Sequence, residues 1–248
     1  MKADATPRNT GILARRRRVL ASLGALPLAG AVGATAMPAQ AAARAKTQAR
    51  IVIAGGGAAG LTAASRLAAL LDGASITVMD GRKEHYYQPG FTLVAAGIKP
   101  QGYVVSSTSE YLPRGVELIA EKVVEIDPEG KKVVTAGGKA VAYDFLILAT
   151  GLELNYGAIE GMDTGRIGSD GLGSIYHSPQ AASATWQALS RFADSGGVGL
   201  FGRPAGEMKC AGAPLKYTFI TDDHLRRRGN RGKAELMYMA QAKSLFGV

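Results

Sequence analysis

The sequence predicts an α/β fold on three observations. Arg50 to Asp80 reads as strand, glycine-rich turn, helix and strand. Val116 to Thr135 changes to short β-branched runs separated by turn residues. After about residue 170 strands and helices alternate again. The organisation that follows is a segment at 1–41, a linker at 42–49, a first α/β domain at 50–168 and a second, incomplete α/β domain at 169–248.

The first 41 residues have the layout of an export signal. Arg15 to Arg18 form a charged region, and an apolar run from Val19 to about Met37 follows, broken by Pro27. Ala39-Gln40-Ala41 then offers small residues to a peptidase. The Arg16-Arg17-Arg18-Val19-Leu20 stretch is similar to a twin-arginine signal, a route that passes folded proteins. The expected location is periplasmic. A single membrane-anchoring helix is the alternative, less favoured because the run is short and proline-broken.

Charge supports this division. The formal net charge is +9, but residues 1–41 hold six of the 29 basic residues and one of the 20 acids, leaving +4. That is an ordinary surface, and it gives no ground for nucleic-acid binding. Arg226-Arg227-Arg228, with Arg231 and Lys233, reads as the solvated end of a helix. Contact with anionic headgroups, and so peripheral membrane association, is the other reading.

Arg50-Ile51-Val52-Ile53-Ala54 is short, apolar and β-branched, as a buried parallel strand requires. Leu61 to Leu71 has helical apolar spacing, and Ser75 to Met79 is a second strand. Val116–Ala120, Lys122–Asp127 and Lys131–Thr135 predict a meander, with Asp127-Pro128-Glu129-Gly130 as a turn. Phe145-Leu146-Ile147-Leu148 reads as another buried strand. Helices are expected over 179–192 and 215–228, with strands over 198–201 and from 234 to 239.

Gly55, Gly57 and Gly60 match G-x-G-x-x-G, with Ala58 and Ala59 between the last two. The first glycine permits the tight turn, the second lets backbone approach a pyrophosphate, and the third lets helix pack on strand. The motif follows a strand, opens a helix and precedes Asp80 by twenty residues, where an acid accepts ribose hydroxyls. A Rossmann-like dinucleotide cradle is therefore expected. Two further features favour FAD over NAD. Ala149-Thr150-Gly151 after a buried strand is similar to a second FAD-contacting motif of two-dinucleotide-domain flavoproteins, and the meander lies between the two motifs as it does there. In such proteins a residue at the meander start, here Val123, lies against adenine. The second domain's first strand runs into Gly202-Arg203-Pro204-Ala205-Gly206, where Pro204 removes an amide a phosphate cradle would use. A nicotinamide site there is not expected.

Cys210 is the sole cysteine. Alone it reads as an inert core thiol or as a reaction centre. His85, His177 and His224 show no metal spacing.

Three stretches together carry a family resemblance: His85-Tyr86-Tyr87-Gln88-Pro89-Gly90-Phe91, Ser174-Ile175-Tyr176, and Lys209-Cys210-Ala211-Gly212-Ala213-Pro214-Leu215-Lys216. Over residues 50–248 the chain resembles the sulfide:quinone oxidoreductases, the branch with mitochondrial members above all. The resemblance implies oxidation of sulfide to polysulfide or sulfur through a redox cysteine and FAD, with quinone as acceptor. It makes Cys210 one of a redox pair whose other member lies in the C-terminal half of family members. It places Gln88 among the cofactor-binding residues. Gly173 stands where some bacterial members carry a further cysteine. On this reading the 248-residue chain is truncated and idle alone, and most of the quinone site lies beyond it. The rival readings are a flavocytochrome c sulfide dehydrogenase flavoprotein subunit, a type II NADH dehydrogenase, and a non-catalytic FAD-binding fragment. The first is weakened because no cysteine follows the second strand, and the second because the second glycine fingerprint is missing.

Overall fold

The computed structural model describes residues 43–203, 208 and 210–241. The export-signal reading at 1–41, together with Pro204 and Lys209, lies outside the described residues.

Residues 43–49, read as a linker, are docked. β1 (Ala45–Lys46) pairs in parallel with β3 (Leu71–Asp72), and the Arg44 guanidinium donates to the Ala68 carbonyl at 2.8 Å. The first βαβ unit is β2 (Arg50–Ala54), α1 (Ala58–Leu70) and β4 (Ser75–Met79). β5 (Glu84–Tyr86) and β6 (Val105–Ser107) form an antiparallel pair. Between them lie a 3₁₀ turn, Gln88–Gly90, and a short helix, α2 (Phe91–Ala95). β7 (Val116–Ile119) follows, then the meander β8 (Val123–Asp127), β9 (Lys132–Thr135) and β10 (Ala140–Ala142), and β11 (Phe145–Leu148). The second half contains α3 (Pro179–Ser195), β12 (Gly197–Gly202), α4 (Ala213–Arg227) and β13 (Ala234–Met239).

The main sheet is parallel in the order β11-β2-β4-β7. β-branched residues fill its centre, and both faces are covered, as a parallel sheet requires. Ile51, Ile53, Ile76 and Val78 pack on Ala64 of α1. Val52 and Met79 face the other way, against Ile119 and the meander layer of Val133 and Tyr143. Burial of each large aliphatic here is worth about 1.5–3 kcal/mol.

One expectation is corrected. Phe145–Leu148 was read as buried, but β11 is an edge strand, and Phe145 and Leu148 are each 63% exposed. Among the described residues it pairs with β2 alone, so an apolar strand composition here marks an edge that the adjoining elements leave open. Arg50 and Asp144 hold that edge through a two-point ion pair, with the Arg50 amide also donating to Asp144.

The second half forms a parallel pair, β12 with β13. α3 is capped by Ser178, whose hydroxyl accepts from the Ala181 amide, with Pro179 at its first position. A second core joins Phe91, Val94, Ala95 and Val104 to Ala182 and Leu189 of α3 and Tyr217 of α4. α2 is thus the element on which the second half packs, and the described residues cluster as one unit. The arginine run at the end of α4 is paired internally: Arg226 and Arg231 with Asp222, Arg227 with Asp223, and Arg228 with Asp194.

Candidate functional site

Three loops meet at the C-terminal ends of β2, β4 and β11, where ligands bind in open α/β sheets. The Gly55 amide donates to the Met79 carbonyl at 2.7 Å and the Ala149 amide to the Ala54 carbonyl at 2.7 Å, so the glycine turn, Asp80 and Ala149-Thr150-Gly151 are neighbours. Gly55 has φ +112, and a Cβ on it would overlap the Ala149 carbonyl. A Cβ on Gly60 would overlap the Gly55 carbonyl, so helix and turn close to the limit a glycine allows. At Gly57 and Gly151 the same test meets open space. The first turn of α1 has no side-chain cap and no acid, leaving its amides and partial positive charge to the space above Gly57, Ala58 and Ala59.

Asp80 takes a structural part as well as the expected one. Its carboxylate accepts from the Gly56 amide at 2.7 Å and from the Arg82 amide at 2.8 Å, with the Arg82 guanidinium at 3.4 Å. Burial alone would raise its pKa, but these donors outweigh burial and hold the carboxyl below the usual range. Thr108, buried, stands with Asp80 behind Gly56. Sequence reasoning missed Gly56, Arg82 and Thr108. Gly56 was visible in the triple glycine, whereas Thr108 reaches the turn only through the β5–β6 pair, which carries no local signal.

Val123 opens β8 and packs half-buried against the layer of Val52, Met79 and Tyr143. Gln88 opens the 3₁₀ turn that leads into α2 and is half-buried.

A second cluster gathers around Phe91 and Tyr176. The ring of Phe91, from α2, stacks on Tyr176 at 6.2 Å and 17°, and Tyr86 meets Phe91 at the same distance. The Tyr176 phenol is held above its ordinary pKa, by burial first and then by the neighbouring Cys210 sulfur. Cys210 is exposed and has φ +52, a left-handed conformation rare for a side-chain-bearing residue. Its carbonyl accepts from the Ala213 amide at 2.8 Å, which fastens the thiol loop to the start of α4. The Cys210 thiol is thus exposed just before α4 and is no core packing group. On either side of Tyr176 in the sequence, the Tyr156 hydroxyl bonds Ser174 at 2.6 Å, and the Tyr156 ring meets His177 edge-on. Thr185 accepts from the Ser174 amide and secures the Ser174-Ile175-Tyr176 stretch to α3.

A family model, the pyridine nucleotide-disulphide oxidoreductases, matches residues 49–189, which contain the whole glycine cradle, Asp80 and the Ala149-Thr150-Gly151 loop. The chain belongs to this family. Among curated relatives, the mitochondrial sulfide:quinone oxidoreductase of Mus musculus is 34% identical over 208 residues, covering 82% of this chain and 44% of that protein. The Dictyostelium discoideum mitochondrial protein of the same name is 34% identical over 204 residues, with the same coverage. The solved sulfide:quinone oxidoreductase of Aquifex aeolicus superposes with a TM-score of 0.63 at 26% identity, over 77% of this chain and 42% of that one. The resemblance read from the three sequence stretches is borne out. The chain spans less than half the length of these relatives.

FAD is the cofactor of this fold family. The cradle fits it: open space over Gly57 and Gly151, uncapped amides at α1, and a carboxylate at the end of β4.

Proposed function

We propose that this chain is the flavin-binding and thiol-bearing part of a sulfide-oxidising, quinone-reducing enzyme. One observation carries the reading: an exposed thiol in a left-handed loop stands beside an aromatic stack on α2, in a chain that also builds a dinucleotide cradle. Gly55, Gly57, Ala58, Ala59 and Gly60 would hold the pyrophosphate, Asp80 the ribose, and Ala149, Thr150 and Gly151 the second approach to the cofactor. Gln88 and Val123 would lie against the flavin side and the adenine respectively. FAD, when bound, accepts two electrons and hands them to an acceptor.

The work of this chain's own residues is sulfur handling. Cys210, joined in a disulfide to a second thiol, is attacked by hydrosulfide. The S–S bond breaks, the second thiol leaves as thiolate, and Cys210 keeps the incoming sulfur as a persulfide. The sequence holds one cysteine, so that second thiol comes from outside these residues. The Phe91–Tyr176 stack and the start of α4 frame the loop that carries this sulfur. Quinone as final acceptor is supported by the names of the relatives, and export to the periplasm by the arginine-led apolar run at 15–41.

The test is anaerobic. FAD-loaded protein, with Cys210 first converted to a mixed disulfide with a small thiol, is mixed with sulfide. Release of the small thiol is expected first; a second hydrosulfide would then lengthen the Cys210 persulfide by one sulfur, its two electrons and two protons passing to FAD, so oxidised-flavin absorbance falls, and Cys210→Ser should show neither. Thiol release with unchanged flavin absorbance would place Cys210 away from the flavin and overturn the proposal.

A further inference from the structure

We propose that His224, Trp186 and Gly97 form a pH-sensitive latch: neutral His224 seated on Trp186 holds α4 and α3 against the end of α2, and protonation of His224 releases them. The His224 ring meets the Trp186 indole edge-on, with centroids 5.0 Å apart and planes at 78°. Its Nε2 is shut off from solvent and has no hydrogen-bond partner among the described residues. The indole in turn fills the space a side chain at residue 97 would take, so it rests directly on backbone just after α2. The Tyr217 hydroxyl donates to the Ala95 carbonyl at 2.6 Å and ties α4 to the same place.

A buried nitrogen without a partner tolerates the neutral ring and penalises the cation, whose added N–H would find no acceptor. The charged groups around it come from two helices. Arg228 and Arg227 of α4 oppose an imidazolium, whereas Asp194 of α3 and Asp223 of α4 favour one. Asp194 and Asp223 are each already engaged by an arginine, at 2.8 and 2.7 Å. α2 itself contributes no charge. Burial first, then Arg228, outweigh the two acids, so proton affinity falls on folding. The latch therefore contributes fully above about pH 6.5, the unfolded histidine value, and is lost as pH falls below it. Its release would be felt at the thiol, because α2 carries the Phe91 ring that stacks on Tyr176 beside Cys210.

Trp186 is the sole tryptophan, so indole emission reads this contact alone. Once the His224 ring is released, water reaches the Trp186 indole and lowers its emission. The full chain and His224→Gln, in the same FAD-loaded state, are titrated from about pH 8 to about pH 5 while emission and the urea unfolding midpoint are followed. Wild-type emission and midpoint should fall together, centred below about pH 6.5, and both should stay level in H224Q. Equal curves in the two proteins, or a wild-type transition centred at or above that value, would overturn the latch. If H224Q does not fold, imidazole proton resonances of the wild type decide. One of the three histidines must titrate below about 6.5 and carry the indole resonances with it; three ordinary titrations refute the proposal.

Discussion

At the scale of single residues, the cradle makes a sharp distinction among its glycines. A methyl at Gly60 would overlap the Gly55 carbonyl, which is backbone and has nowhere to go. Gly60→Ala should cost about 1–3 kcal/mol in urea unfolding and abolish FAD binding by flavin titration. A methyl at Gly57 meets open space, so Gly57→Ala should leave unfolding within about 0.5 kcal/mol of wild type while FAD affinity drops. Wild-type affinity in G57A would mean that no phosphate lies there. Asp80 supplies a pH test. Its carboxyl titrates below the ordinary range in the folded state, so its contribution is present above about pH 3.9 and is lost as pH falls below it. Asp80→Asn should flatten that acid limb of the stability curve and weaken FAD binding at neutral pH.

Among elements, the strands and helices with strong composition were legible. β2, β4, β8, β11 and β13 start or end where apolar runs and turn residues say they should, and α1 begins one turn before Leu61 because the glycine turn itself leads into it. The β5–β6 pair and α2 were not legible, since three- and five-residue elements are set by what they pack on. The edge position of β11 was also hidden: Phe145-Leu146-Ile147-Leu148 has the composition of a central strand, and only the pairing order shows that one side is open. The Arg50–Asp144 clamp holds this edge and draws the Asp144 carboxyl down to about 2, through the Arg50 side-chain and backbone donors. Sign and window follow: the clamp is intact above about pH 4 and is lost as pH falls toward 2. Asp144→Asn should speed amide exchange in β11 while leaving exchange in β4 unchanged, because an exposed pair acts locally. Equal acceleration in both strands would show that the clamp supports the whole sheet.

Over the whole molecule, α2 lies in the core shared with α3 and α4. Most of the candidate site was legible in the glycine spacing, Asp80 and the context of Cys210. The left-handed backbone at Cys210 was not, and neither was the nearness of its sulfur to Tyr176, because the latter depends on chain brought together from 34 residues apart. The sole cysteine lies far from the strand-two region, so nothing there can tether a flavin through sulfur. Acid precipitation should therefore leave all flavin in the supernatant, read by absorbance; flavin retained in the pellet would contradict this. Added FAD at a hundredfold its dissociation constant should stabilise the chain by about 2.7 kcal/mol, and slowed exchange in α3 as well as in β2 would show that the two halves respond as one.

The bond from the Gly56 amide to Asp80 has a further consequence, for how the cofactor is taken up. That bond is made within the protein, so the turn has its shape before any ligand arrives. Little conformational entropy is left to lose on capture, and affinity is not spent on ordering the loop. Loading should then resemble a key entering a cut lock: one fast phase, linear in FAD concentration, with no slow step of loop closure behind it.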